Sequence, residues 1–287
     1  MLDRSLIKTW IKILIVFSKR IYRLVIDFLL IFFFGLINLL RYKKLYDDNI
    51  LFISAAEKNY FSHLRTLIES FLDNSKCKLI VYDIGLEKNQ VEILKKEYKD
   101  IELRTFDFKK YPEFVNQYFD GKLGNYAWKP IIVNEILEEF KSKVVWLDAG
   151  NLITSKITFL KIALTTLGLV VPVSSNRIVD WTHPKTIDRI GLDKKFLKSN
   201  NYASGLIGFD YNFSIAKQIS AKWSEFSQIQ ECISPIGSSR DNHRQDQAVL
   251  TLLLYKYLFK SKFKKYFYPQ TNFIYGVLFH KRKIYNF

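Results

Sequence analysis

A chain of 287 residues with 44 lysines and arginines against 28 aspartates and glutamates carries a formal charge of +16. The length suffices for one sizeable α/β domain with a short appendage, and a hydrophobic content of 48% argues against general disorder. Cys77 and Cys232 are isolated, with no CxxC pair and no metal-ligand spacing, which argues against a disulfide framework and is compatible with a reducing compartment. The positive charge favours nucleic acid, anionic lipid or phosphorylated substrates without choosing among them.

The N-terminus differs in composition from the rest. Residues Ile21 to Leu40 read IYRLVIDFLLIFFFGLINLL, which reaches the roughly 20 apolar residues of a bilayer-spanning helix. Asp27 would cost about 2.5–3.5 kcal/mol near the membrane centre, so it is expected at an interface. Upstream, Leu6, Trp10, Ile13, Leu14 and Phe17 recur at helical spacing among Lys8, Lys12, Lys19 and Arg20, the pattern of an amphipathic helix on an anionic surface. Residues 1–48 are therefore expected to form an anchor and linker, with residues 6–40 at the membrane, single-pass or monotopic. The competing expectation is a hydrophobic helix buried against the main domain. The excess of basic residues before the apolar run favours a cytoplasmic N-terminus with the main domain on the far side, whereas a monotopic anchor would leave everything on one face, so the side of the main domain stays open.

From Asn49 onward the chain alternates between strand and helix patterns. Ile50–Ser54 reads as a buried strand, Tyr60–Leu72 as a helix with Leu64, Leu67, Ile68 and Phe71 on one face, and Cys77–Asp83 as a second strand. Glu87–Tyr98 is the second helix and Ile101–Phe108 the third strand. Asn125–Phe140 is a helix that tolerates Pro130 in its first turn. Lys143–Asp148 is the fourth strand, Leu167–Val173 the fifth and Ser204–Asp210 the sixth, before a helix over Arg244–Phe259. Such alternation predicts an α/β fold for residues 49–287, a mainly parallel sheet flanked by helices.

Parallel sheets bind ligands beyond the carboxyl ends of their strands. That rule selects Ser54-Ala-Ala56 at the end of the first strand, Asp83 with Gly85 after the second, and Asp148-Ala-Gly-Asn151 after the fourth. A carboxylate at position 148 suits a divalent cation or a ribose hydroxyl, and it equally suits a plain turn cap. Asp83 fits a base- or ribose-binding turn, or an ordinary one. Lys129 is a candidate phosphate ligand, and His183 sits in an expected loop over the site where it could orient a sugar. Asp246 opens a helix, where the helix dipole stabilises a carboxylate whatever its function.

The order of these segments resembles the GT-A glycosyltransferases, particularly the glycogenin-like group and small nucleotide-diphospho-sugar transferase families. The resemblance rests on Gly124-Asn-Tyr-Ala-Trp-Lys-Pro130 before the helix to Phe140, then Val144–Asn151, Asn201-Tyr-Ala-Ser-Gly205, Arg244-Gln-Asp246-Gln247, and Phe279-His280-Lys281. It implies a Rossmann-like GT-A fold and transfer of a sugar from a nucleotide-sugar donor to an unidentified acceptor. Asp148 and Asp246 would be catalytic. Ser54, Ala55, Asp83, Lys129, Asp148 and Asn151 would hold the donor, while Asn201, Ser204, Gly205, Gln247 and His183 would line the sugar and acceptor pocket. Asp148 and His280 would ligate a cation, Mn2+ or Mg2+. Gly150 departs from the family's Asp-x-Asp pattern: either Asn151 or water replaces the second ligand, or cations such as Lys129 neutralise the diphosphate without a metal. Asn is a poor substitute for a carboxylate toward a hard cation.

Two other classes compete. A basic nucleic-acid-binding module fits the charge and aromatic content, but no helix-turn-helix, RNP-like or zinc motif is present and the basic residues are scattered, so no specific nucleic acid partner is expected. A membrane-attached scaffold that keeps the fold without activity is the other, and Gly150 is its support. A nucleotidyltransferase would carry a glycine-rich loop after the first strand, and Ser54-Ala-Ala-Glu-Lys58 lacks one.

Overall fold

The structure, a computed structural model, describes residues 49–116, 118–119, 122–123, 125–259 and 275–279, together with helical residues scattered between 10 and 36. Its strands in chain order are β1 Ile50–Ala56, β2 Lys78–Asp83, β3 Ile101–Thr105, β4 Tyr118–Phe119, β5 Lys122–Leu123, β6 Lys143–Leu147, β7 Asn151–Ile153, β8 Leu169–Val170, β9 Val173–Arg177, β10 Asn200–Tyr202, β11 Leu206–Asp210 and β12 Val277–Phe279. Six of them form the main sheet in the order β3-β2-β1-β6-β11-β8. The four strands expected to lie together, β1, β2, β3 and β6, are adjacent and parallel. β11 runs antiparallel to β6, and β8 antiparallel to β11. The sheet is thus parallel on one side and mixed on the other.

Alternation along β1 shows how the sequence fixes the layers. Leu51, Ile53 and Ala55 enter one buried cluster, while Ile50, Phe52 and Ala56 enter the other, as a period of two requires. The first cluster is covered by helices Trp128–Phe140, Ser214–Ser227 and Gln245–Leu253, the second by Phe61–Asn74, Lys88–Glu97 and Thr158–Leu167. Pro130 lies in the first turn of its helix, where its missing N–H leaves no intrahelical bond unmade.

Two expectations need correction. Leu167–Val173 is not one strand: Leu167 ends a helix, Gly168 turns the chain, and only Leu169–Val170 joins the sheet. The helix expected over Arg244–Phe259 is α-helical only to Leu253 and continues as a π turn over Leu254–Leu258. At the N-terminus, among the described residues no helix is long and apolar enough to cross a membrane. Residues 37–48 and much of 1–23 lie outside the described residues, as does His280. Asp27, expected at a lipid interface, is 2% exposed and lies within electrostatic reach of Tyr275. Trp10, Leu14, Phe17, Phe28 and Phe32 on the same helical stretch are exposed, so those side chains are not buried against the main domain.

Gly168 links local chemistry to packing. Its φ is +73° and it caps the helix Thr158–Leu167, with its N–H donating to Leu164 O. A Cβ there would lie 2.2 Å from Phe213 Cγ. Left-handed backbone and steric overlap act in the same direction. Gly168→Ala is expected to lower unfolding stability by about 1–3 kcal/mol, measured as a fall in the urea midpoint at unchanged slope.

Candidate active site

The carboxyl ends of β1 and β6 open into a cleft of about 310 Å³. Its floor is Ala55 and Ala56 at the end of β1 with Glu57 just beyond, and Asp148, Ala149 and Gly150 after β6, and one wall comes from the start of the helix at Trp128. The start of the helix at Gln245 and the preceding loop close the opposite side, and Tyr60 and Tyr126 add aromatic surface.

At its centre is Lys129, with a side chain 4% exposed. The ammonium lies 2.9 Å from Asp148 Oδ1 and 3.1 Å from Asp246 Oδ2, 3.5 Å from Ser204 Oγ, and 5.6 Å from the ring centres of Tyr126 and Trp146. The Asp246 contact is an ion pair at that distance without hydrogen-bond directionality. Burial opposes the ammonium, but the two carboxylates more than offset it and raise its pKa, so Lys129 stays charged. Burial also raises the pKa of Asp246, beyond what Lys129 counteracts. Asp148 differs: its side chain is 42% exposed, and Oδ1 additionally accepts a 2.7 Å hydrogen bond from Trp146 Nε1.

The structure brings together Ala55, Lys129, Asp148, Ser204, Asp246 and Gln247 among the residues selected from sequence. Asp83 lines a neighbouring hollow with Gly85, Thr105 and Asn116, sharing Glu57 and Ile84 with the cleft. Its Oδ1 accepts from the N–H groups of Gly85 and Leu86, so it also shapes the turn. Ser54 is fully buried inside β1 and lines neither hollow. Asn151 and Asn201 are buried and donate to Gly205 O and Arg177 O at 2.6 and 2.7 Å. Gly205 acts through its carbonyl, which also accepts from Asp148 N. His183 caps the helix Pro184–Ile190 and stands off the cleft lining.

Sequence reasoning missed Glu57, Tyr60, His63, Tyr126, Arg240 and Arg244. Glu57 follows the carboxyl end of β1, so the rule that selected Ser54-Ala-Ala56 could have found it one step further on. Arg240 carries no such signal among 44 basic residues, and Arg244 entered only as the first residue of the Arg244-Gln-Asp246-Gln247 motif, without a role of its own.

A divalent cation is the cofactor that the GT-A resemblance implies. The donor chemistry of the described residues does not fit one: Oδ1 of Asp148 and Oδ2 of Asp246 both face a lysine ammonium, Gly150 has no side-chain donor, and Asn151, whose Oδ1 has no partner, is buried off the cleft lining. Among the described residues no three His, Cys, Asp or Glu side chains converge, whereas a hard cation requires several oxygens.

The arrangement of sheet and flanking helices is similar to that of solved glycosyltransferases. One is the apo bifunctional glycosyltransferase WbbM, at 13% identity and TM-score 0.47, where 74% of this chain covers 38% of that one. An active-site mutant of LgtC has 17% identity and TM-score 0.46, covering 71% of this chain and 69% of the other. The core-mannan synthase CmsA/Ktr4 of Aspergillus fumigatus, in a Mn/GDP form, has 8% identity and TM-score 0.49 over 72% of this chain and 69% of the other. Residues 35–134 match a family described as "Protein of unknown function (DUF1647)". No curated protein matches the chain. Likenesses this distant assign no chemistry, which has to come from the residues of the cleft.

The loop that closes the cleft is fastened by His243, 1% exposed. Its Nδ1 faces the N–H of His183 at 3.3 Å and its Nε2 faces Ile233 O at 3.1 Å. That pairing requires a neutral ring with the proton on Nε2, donating to Ile233. Burial pushes its pKa down to about 4, so the unfolded chain binds the extra proton first. The contribution is complete above pH ~6.5 and is lost as pH falls toward about 4, in total roughly 3 kcal/mol. Urea unfolding at pH 7.5 and 4.5 should show this loss, and His243→Gln should flatten it; an unchanged pH slope in the variant would refute the assignment.

Proposed function

We propose that the protein transfers a sugar from a nucleotide-sugar donor to an acceptor hydroxyl on a glycan, lipid or protein. The observation that carries this reading is the convergence of Asp148 and Asp246 on one buried ammonium, in an aromatic-walled cleft at the carboxyl edge of the parallel strands. Sugar transfer needs three things there: surface for flat and polyhydroxylated groups, a carboxylate to orient hydroxyls, and positive charge for the departing nucleoside diphosphate. Tyr60, Tyr126 and Trp128 offer the surface. Asp148, with only Oδ1 engaged among the described residues, offers Oδ2 to a donor hydroxyl. Asp246, whose pKa burial raises above the ordinary carboxylate range, is the group that accepts the acceptor's proton in this reading.

Purified protein incubated with a panel of nucleotide sugars should release free nucleotide with at least one of them. Asp148→Ala leaves Lys129 paired with Asp246, so the fold should hold while turnover falls at least ~10²-fold, the scale of losing one preorganised electrostatic contact. Full turnover in a folded Asp148→Ala protein would remove the central support for transfer.

We also propose that the N-terminal segment attaches the protein to a membrane surface. Exposure of Trp10, Leu14, Phe17, Phe28 and Phe32, interleaved in sequence with lysines and arginines, supports in-plane binding to anionic lipid. Full-length protein should float with vesicles containing phosphatidylserine, whereas a chain starting at Asn49 should stay at the bottom of the gradient. Equal behaviour of the two chains would refute the attachment.

A further inference from the structure

Lys129 is held by two carboxylates, so among the described residues the arginines of the cleft are the cations left to meet an incoming anion. Arg240 and Arg244 both line the cleft. Among the described residues neither faces a carboxylate. Arg240 donates to Tyr126 Oη at 3.1 Å and lies 5.5 Å from that ring's centre. Arg244 stacks 4.2 Å from the centre of the Trp181 ring, and its Nε is buried with no hydrogen-bond partner. An unpaired buried donor on a charged group is costly, and a guanidinium has five N–H donors in a fork that matches phosphate oxygens. Gln247 Nε2, also buried and without a partner, lines the same cleft.

The surrounding loop holds this pair in place before any ligand arrives. Arg244 N donates to Trp181 O at 3.0 Å, His243 N to Ser239 O at 2.8 Å, and Ser239 N to Asn242 Oδ1 at 2.8 Å. His243 pins the same loop from beneath. Each guanidinium lies against an aromatic ring, Arg240 on Tyr126 and Arg244 on Trp181, and Arg244 keeps an unpartnered Nε–H.

We propose that Arg240 and Arg244 form the diphosphate-binding subsite of the cleft, supplying by side chains the positive charge that the described carboxylates do not recruit as a metal. The assignment of that diphosphate to a sugar donor rests on the transfer reading above; the anion subsite does not. The same chemistry could arrive on a phosphorylated acceptor, and the experiment separates the two sources.

Binding of UDP, GDP, ADP and CDP, of the corresponding nucleosides and of inorganic pyrophosphate is measured by titration calorimetry in EDTA, for the wild type, Arg240→Gln, Arg244→Gln, Arg244→Lys and the double glutamine variant. The wild type should bind at least one nucleoside diphosphate without metal, and more weakly as salt increases. Each glutamine substitution should weaken that binding about 10-fold or more. Arg244→Lys should recover only part, because the charge returns without the fork. Thermal midpoints close to wild type would show that the losses are not unfolding. Pyrophosphate binding that is lost in the variants, with no nucleoside diphosphate bound by the wild type, would uphold the arginine subsite and sink the sugar-donor reading. Diphosphate binding unchanged in the double variant, or seen only with added Mn2+ and indifferent to the arginines, would overturn the subsite. So would a wild type that binds neither diphosphates nor pyrophosphate.

Discussion

An ammonium taken out of water pays several kcal/mol in lost hydration, and only close opposite charge and well-placed dipoles return it. Lys129 is such a group, and most of the cleft is arranged as its answer. Asp148 comes from the end of β6, Asp246 from the start of the helix Gln245–Leu253, and Ser204 from the turn before β11. Three parts of the chain distant in sequence are thus tied through one nitrogen. Removing both carboxylates would leave a buried unpaired charge, a defect of the 3–5 kcal/mol class, whereas removing one leaves the other in place. The site is therefore structural before it is chemical.

That arrangement divides electrostatic labour in the cleft. The inner charges, Lys129 with its two aspartates, are largely satisfied among themselves. The outer charges, Arg240 and Arg244, rest on aromatic rings and lack carboxylate partners among the described residues. An anion entering the cleft would meet the outer pair without first breaking the inner cluster. His243 connects this division to the fold, because the loop that presents the arginines is fixed through a ring that must remain neutral.

Much of the sheet was legible because β1, β2 and β6 are continuous apolar runs that end in small or acidic residues, and buried parallel strands are made this way. Asp148 followed from the same logic, since the strand delivers it to the sheet's edge. The antiparallel direction of β11 was not legible, because a buried run of Leu206–Asp210 reads alike in either direction. Ser54 and Glu57 show how position along a strand decides function: Ser54 remains inside the sheet, while Glu57 lies past the last pairing and reaches the cleft. The helix Thr158–Leu167 escaped notice because its apolar residues run into those of Leu169–Val171, with only Gly168 between them. The role of the arginine pair was not legible for a different reason. Its meaning comes from Tyr126 and Trp181, which no local spacing connects to it.

Two of the chain's five tryptophans lie in the wall of this cleft, Trp128 and Trp146, with ring centres 5.8 Å apart. Trp146 donates directly to Asp148, and the Lys129 ammonium lies over its ring. Indole emission responds to nearby charge and to its own hydrogen bond, so a molecule that draws Asp148 or displaces water here would change the protein's ultraviolet fluorescence. The cleft therefore carries its own optical reporter, and occupancy can be followed in the unlabelled chain before any product is known.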